Sequence, residues 1–275
     1  MTKEIKDVTG IDLSMYNTSF VERIINGQMS ETQSRSFEEY VENLKNIGSQ
    51  TDQLKRALHN TFSEFFRNTL TFSFLEHILL PQLAERKSRT RNREIRIWSA
   101  ACAAGQEAYS TAMVCKEFAT QKHSGLRFRI FATDLSDLEI QKAQKGIYAE
   151  EALKNVSYDR IKNYFSQKGN SFIVHQQLKE FIDFSTFDLL NSDCDCPPAS
   201  IFGNFDIVFC ANLLFYYSPR VRQRILDKVD TCLAENGYLI VGEAEKEIVE
   251  KNKEYTCLQH LPVLQKRILP KKGLG

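Results

Sequence analysis

Residues 95–118, IRIWSAACAAGQEAYSTAMVCKEF, decide how this chain is read. The run 95–100 is short and apolar, as a buried strand is, and Glu107 to Phe118 repeats its apolar positions at helical spacing. Between them stand Ala and Cys, a single glycine, Gly105, and Gln106. A strand that turns tightly into a helix is the first half of a βαβ unit.

Downstream the same rhythm continues. RFRIFATD (127–134) reads as a second strand ending at Asp134, and Asp137 to Gln144 as a helix followed by GIY. A third strand lies within FIDFSTFDLL (181–190), and a fourth in FDIVFCAN (205–212). A long helix runs from Pro219 to Leu233, with proline near its start, where the missing N–H costs nothing. GYLIVGE (237–243) supplies a fifth strand, and residues 255–258 and 264–268 form a terminal antiparallel pair. Strands alternating with helices predict an α/β fold, a doubly wound parallel sheet covered on both faces. The alternation pauses over about 155–183, where SFIVHQQ and FIDFS suggest short strands of a small β insertion.

Upstream the pattern is helical. Ser36 and Glu39 fit a capping box, followed by Phe37, Tyr40, Val41, Leu44 and Ile47 at helical spacing and by a stop at Gly48. Leu54 and Leu58 open a second stretch, and a third runs from Phe72 to Leu80, where Pro81 is expected to break or kink it. ERKSRTRNREIR (85–96) holds six basic and two acidic residues, a local net of +4 (6 − 2), and reads as a connector. The domains expected are therefore a helical domain with its linker over 1–88 and an α/β domain over 89–275.

Across 275 residues, 36 Lys+Arg balance 35 Asp+Glu. A net charge of +1 argues against a nucleic-acid binder, whose affinity rests on a basic surplus. No apolar run approaches the roughly 20 residues of a membrane span. The polar start, MTKEIKDVTGID, has no signal-peptide core, so a cytoplasmic location without membrane insertion is expected. The seven cysteines include one close pair, Cys194 and Cys196, without the further ligands a zinc site requires, so no metal is expected.

In a doubly wound sheet, ligands bind beyond the carboxyl ends of the strands. After the first strand, SAACAAGQE lacks a phosphate-binding glycine pattern, and Glu107 stands where an anion would otherwise bind. A carboxylate there suits a positively charged ligand, or it merely complements the helix dipole. Asp134, 29 residues after Gly105 (134 − 105), is placed to bind ribose hydroxyls or to cap the next helix. Asp188 follows the third strand; Asn212, Leu213, Tyr216 and Tyr217 follow the fourth.

Together these segments resemble the CheR family, the S-adenosylmethionine-dependent chemotaxis receptor methyltransferases. RIWSAACAAGQEAYSTAM (96–113) is similar to the family's SAAC-x-x-G-E-E-P-Y-S segment, and FATDLSDLEIQKAQKGIY (131–148) to its ATD segment. FDIVFCANLLFYYSPRVRQRIL (205–226) resembles FD-x-I-FCRN-x-x-IYF, and NTFSEFFRNTLTF (60–72) resembles N-T-x-FFRE. NYFSQKGNSFIV (163–174) falls where the family carries a small receptor-docking β-subdomain.

The resemblance implies a Rossmann-like methyltransferase sheet and transfer of methyl from S-adenosylmethionine, leaving S-adenosylhomocysteine, to glutamates of a chemoreceptor-like protein. It implies cofactor contacts at Ser63, Arg67, Glu107, Asp134, Asp188, Leu189 and Asn212. Asp134 would hold the ribose, Glu107 the ammonium, and Arg67 the cofactor's carboxylate or the acceptor. Tyr216 matches the tyrosine beside the transferred methyl, so Arg67 and Tyr216 are the candidate catalytic residues. Ser63 and Arg67 are expected on one face of a helix or turn, contributed to the cleft by the helical domain.

The chain departs from the family at Ala211, where an arginine is usual, at residues 68–72 (NTLTF), and at Gly242-Glu243-Ala244-Glu245 in place of G-H-S-E. These positions bear on the acceptor more than on the cofactor. Two other readings share the same residues: a methyltransferase of this fold with another acceptor, and a non-catalytic module that binds the cofactor.

Overall fold

The computed structural model describes residues 2–59, 62–122, 125–200, 202–251 and 255–267. The chain divides into two compact units, Met1–Thr61 with Leu213–Leu226, and Phe62–Asn212 with Asp227–Gly275.

The first unit is helical. Its helices span Thr2–Thr9, Thr18–Glu31, Phe37–Asn46 and Gly48–Leu58. Side-chain oxygens start them: Asn17 accepts from Ser19 N–H, and Ser36 accepts from Glu39 N–H at 3.2 Å. Glu39 Oε2 accepts in turn from Arg35 N–H at 2.7 Å, one residue before the capping box expected at Ser36. The first of these two later helices stops where predicted, but Gly48 opens the next helix instead of adopting a left-handed cap. Ile5, Leu13, Phe20, Val21, Ile25, Tyr40, Leu44, Leu54 and Leu58 form the core. The returning segment joins through a bridge between Tyr16 and Tyr217 and through Asn17 N–H donating to the Tyr216 carbonyl at 2.8 Å.

The second unit contains ten strands: β1 (Glu94–Ser99), β2 (Arg127–Asp134), β3 (Ile147–Ala149), β4 (Phe165–Lys168), β5 (Ser171–Val174), β6 (Ile182–Thr186), β7 (Phe205–Cys210), β8 (Leu233–Val241), β9 (Tyr255–Cys257) and β10 (Val263–Lys266). Seven of them make one sheet in the order β6-β2-β1-β7-β8-β10-β9. The first five are parallel, and β10 runs antiparallel to both β8 and β9. Ile97 and Trp98 are neighbours in β1, so they point to opposite faces, and both are fully buried. Ile97 joins the core that includes Met113 and Leu79; Trp98 packs on Phe205, with ring centroids 5.5 Å apart. Both faces are covered, as a doubly wound sheet requires.

Three expectations are corrected. First, Ile182–Thr186 pairs with β2 at the edge of the main sheet, so FIDFS does not belong to the insertion. The insertion is the antiparallel sheet β3-β5-β4 with the helix Tyr158–Tyr164, and it begins at Ile147. Second, of the break or kink expected at Pro81, the break does not occur. The chain runs helically over Thr69–Phe74, widens to a π-turn at Leu75–Leu79 and continues over Leu80–Ser88. The wide turn, in which Leu80 N–H reaches the Leu75 carbonyl, accommodates a proline ring that has no N–H. Third, residues 85–96 are not a loose connector. Lys87 pairs with Asp206 at 2.8 Å, Arg86 donates to the Asn236 carbonyl at 2.9 Å, and Glu94–Arg96 lie in β1. The units accordingly divide at Thr61/Phe62, ahead of the 88/89 boundary expected, because Leu75, Leu79, Leu80 and Leu83 are buried in the sheet's own core.

Candidate active site

Each candidate cofactor residue sits in the sheet unit, and four of them stand at the carboxyl ends of adjacent strands: Asp188 after β6, Asp134 on β2, Glu107 beyond β1 and Asn212 after β7. Four neighbouring strands span three spacings, about 14 Å. The sequence order scatters these residues over more than a hundred positions, and sheet pairing gathers them into one row.

Asp134 organises the centre of that row. Its Oδ2 accepts the Ala103 N–H at 2.9 Å, and its Oδ1 accepts the Ser136 N–H at 2.9 Å. The capping role belongs to Ser136, whose hydroxyl meets Glu139 N–H, so Asp134 is not the cap of the helix that follows. Its backbone carbonyl receives Phe187 N–H at 2.9 Å, which draws the segment carrying Asp188 and Leu189 to the same strand end. Asp188 Oδ1 accepts Leu190 N–H at 2.7 Å, and Leu189 is buried. A carboxylate oxygen can accept more than one hydrogen bond.

The turn after β1 is tight. Ala103 lies in the left-handed region at φ 46° and Gly105 at φ 91°. A Cβ on Gly105 would fall 2.8 Å from Ala143 Cβ, so glycine is required by both conformation and space. Glu107 follows, on the first turn of the helix Gln106–Lys122. Ser99 Oγ donates to its Oε1 at 2.6 Å. Burial pushes the Glu107 carboxyl up to about 7; the Ser99 hydrogen bond opposes this, Glu245 adds to it and Arg67 opposes it. The buried thiols of Cys102 and Cys210 also face Glu107.

Asn212 adopts φ 61°, and its N–H donates to Glu245 Oε2 at 2.7 Å. Gly242 N–H donates to the same oxygen at 2.7 Å, and Glu245 is fully buried. Any side chain at Gly242 would run into the Asn212 side-chain amide. Glu245 thus holds the turn after β7. Its position in the family-like Gly-x-x-Glu ending of β8 is the signal that could have singled it out.

The Ser63–Arg67 segment is corrected in one respect: it belongs to the sheet unit, not to the N-terminal helices. Of the helix or turn expected there, it is the turn, with the helix starting only at Thr69 behind the Asn68 cap. Phe65 and Phe66 are buried; Phe66 stands at φ 50°, and its N–H donates to Ser110 Oγ at 3.0 Å. Arg67 is exposed, with its guanidinium 5.3 Å from the Phe62 ring centroid and its charge felt at Glu107. Ser63 is part-buried in the same turn. Asn60 and Thr61, the start of this family-like segment, lie outside the described residues.

Two positions that depart from the family pattern meet here: Asn68 Nδ2 donates to Glu243 Oε1 at 2.9 Å. The changes at 68 and 243 therefore complement each other. Tyr216 falls in the helical unit, its ring 4.8 Å from that of Phe20.

The insertion reaches the site directly. Tyr148 Oη donates to the Ala104 carbonyl at 2.6 Å, and Lys154 pairs with Glu64. Cys196 Sγ lies 2.9 Å from Cys232 Sγ, a partner 36 positions away. Among the described residues, no group of three or more His, Cys, Asp or Glu could hold a metal ion, and no helix is long and apolar enough to cross a membrane.

Comparison with known proteins covers both units. The family described as CheR methyltransferase, SAM binding domain, matches residues 61–262, and the CheR methyltransferase all-alpha domain matches residues 2–63. The chain is 31% identical over 249 residues to a chemotaxis protein methyltransferase of Borreliella burgdorferi, spanning 90% of this chain and 86% of the relative. It is 31% identical to the chemotaxis protein methyltransferase Cher2 of Pseudomonas putida and 32% identical to chemotaxis protein methyltransferase 1 of Pseudomonas aeruginosa. Each of these spans 88% of this chain and 86% of the relative.

Proposed function

The chain belongs to the CheR methyltransferase family, and on that premise we propose that Ser63, Arg67, Glu107, Asp134, Asp188, Leu189 and Asn212 hold the cofactor, while Arg67 and Tyr216 serve the acceptor. The protein is an S-adenosylmethionine-dependent methyltransferase that esterifies glutamate side chains of a protein partner. A chemoreceptor cytoplasmic domain is the acceptor that fits, since the relatives are chemotaxis methyltransferases. A cytoplasmic location suits seven cysteines that are all unbridged.

The donor set fits the cofactor. A buried carboxylate at Glu107 follows the end of β1, the strand next to the one that ends at the ribose-type Asp134, and the turn after β1 is mostly Ala with one glycine, over which a ligand can approach the backbone closely. Bound S-adenosylmethionine supplies a methyl group activated by its positively charged sulfur. Asp134 binds the ribose hydroxyls while fixing the Ala103 turn. Glu107 binds the ammonium end and is held in rotamer by Ser99.

The acceptor glutamate needs no general base, because its carboxyl, with an ordinary pKa near 4.3, is ionised at neutral pH. What the protein must supply is alignment, which is worth about 7–11 kcal/mol in well-oriented systems. Arg67, exposed and in no ion pair among the described residues, can orient that carboxylate without quenching it. Tyr216 is assigned to the acceptor on its match to the family's tyrosine alone.

The Asp134 arrangement carries this reading. Asp134→Ala should weaken S-adenosylhomocysteine binding by at least about 1.5–3 kcal/mol, the range for a hydrogen bond to a charged group. Calorimetry on the folded variant decides it, and unchanged affinity would remove Asp134 from the site.

A further inference from the structure

Behind the Arg67 turn, side chains from three separate segments converge on Phe66, two of them on its ring. Phe66 holds φ 50°, a conformation that a residue with a Cβ keeps only when its surroundings over-determine it. Ser110 fixes the backbone through the Phe66 N–H. Phe72 meets one part of the ring, with centroids 5.0 Å apart. The Arg160 guanidinium lies over the ring, 4.6 Å from its centroid.

Arg160 belongs to the insertion helix Tyr158–Tyr164, 94 positions further along the chain (160 − 66). Its orientation is itself fixed. Nε lies 3.1 Å from both Glu117 oxygens, Nη2 lies 2.6 Å from Glu117 Oε2, and Nη2 lies 3.3 Å from Glu76 Oε2. Glu117 sits on the helix that starts at the cofactor turn, and Glu76 on the π-turn of the helix that starts behind Arg67. Only a planar, forked cation can pair with two carboxylates at its edge and cover a ring with its face.

We propose that Arg160 is a positioning residue for methyl transfer: its guanidinium clamps the Phe66 ring, fixes the left-handed turn, and thereby aims Arg67 at the pocket beside Glu107. The small β insertion is then part of the catalytic frame in addition to any docking role. The proposal rests on the assignment of Arg67 to the site. Without the clamp, Phe66 is free to relax to negative φ, which re-aims the residue that follows it.

The test reads Arg67 through its charge, using S-adenosylhomocysteine as the probe and the full-length protein. Binding is titrated from pH 5.5 to 8.5, and the midpoint of its loss toward acid pH reports Glu107, which faces Arg67, Glu245, Ser99, Cys102 and Cys210. Arg67→Ala should move that midpoint upward by roughly half a pH unit, a fraction of the one to three units that a close cation gives. Arg160→Lys keeps a charge against Glu117 and Glu76 but loses the planar face, and should move the midpoint the same way. The double variant should move it no further. Phe66→Leu, which leaves the Arg160–Glu117 pair intact, provides the same readout should Arg160→Lys fail to fold. An unmoved midpoint in both folded clamp variants, with Arg67→Ala shifting it, overturns the proposal. An unmoved midpoint in Arg67→Ala overturns the assignment of Arg67 itself.

Discussion

In the helical unit, polar side chains satisfy backbone amides two or three positions away: Asp12 for Ser14, Asn17 for Ser19, Ser36 for Glu39. The sheet unit has such local caps too, at Asn68 and Ser136, but three of its turns rest on distant partners. Asp134 serves Ala103 across 31 positions, Glu245 serves Asn212 across 33, and Ser110 serves Phe66 across 44. A local cap is made again wherever its helix forms and adjusts stability by a small amount. A long-range acceptor exists only in the folded state, and it shapes a turn that would otherwise be free. The distant acceptors of the sheet unit therefore shape the strand-end turns, whereas the local ones in either unit define helix ends and tight turns.

The largest effect that bears on this contrast should come from Glu245. Glu245→Ala leaves the Asn212 and Gly242 amides buried without their shared acceptor, at about 1–3 kcal/mol for each unsatisfied group. Denaturant unfolding should show a loss of roughly 2–5 kcal/mol, and S-adenosylhomocysteine affinity should fall with it. A stable variant with intact affinity would place Glu245 among the merely local caps.

Glu107 should give the next effect, through pH. Its folded-state pKa of about 7 lies above the ordinary carboxyl value, so it favours the fold most below that ordinary value and progressively less as pH rises through 7. Glu107→Gln should therefore raise Tm at pH 8 relative to the parent, with the difference vanishing toward pH 4.5. Binding has the opposite dependence, because the ligand's ammonium requires the carboxylate. Parent affinity should be full above pH 7 and fall up to about tenfold per unit below it, and Glu107→Gln should abolish that slope. A pH-independent affinity in the parent would show that Glu107 meets no cation.

The smallest effect should be at Ser36. Ser36→Ala removes one exposed cap and should cost about 1 kcal/mol of stability, while cofactor affinity stays as it was. A change in S-adenosylhomocysteine binding would break the separation drawn between the two kinds of polar group.

Much of the fold was legible because it is written in local periodicity. The apolar runs of β1, β2, β7 and β8, the helix after Gly105, and the cap at Ser36 all follow from spacing within a few residues. The misjudged elements share a cause. FIDFS looks the same as an insertion strand or as a sheet edge, because pairing with β2 assigns it. The basic run 85–96 looks like a linker until Asp206 and the Asn236 carbonyl supply its partners. Pro81 looks like a break until the π-turn before it absorbs the ring.

The sequence by itself determined the α/β class, the order of strands and helices, and the strand-end residues Glu107, Asp134, Asp188 and Asn212, since each lies where a periodic run stops. Only the tertiary structure decided that Asp134 holds the Ala103 turn and does not cap a helix, that Ser63 and Arg67 belong with the sheet, that Glu245 accepts from the Asn212 and Gly242 amides, and that Arg160 covers the Phe66 ring. Those roles depend on hydrogen bonds and ring contacts between segments tens of residues apart. Such contacts have no spacing rule along the chain, because the pairing of strands and the packing of the core bring the partners together.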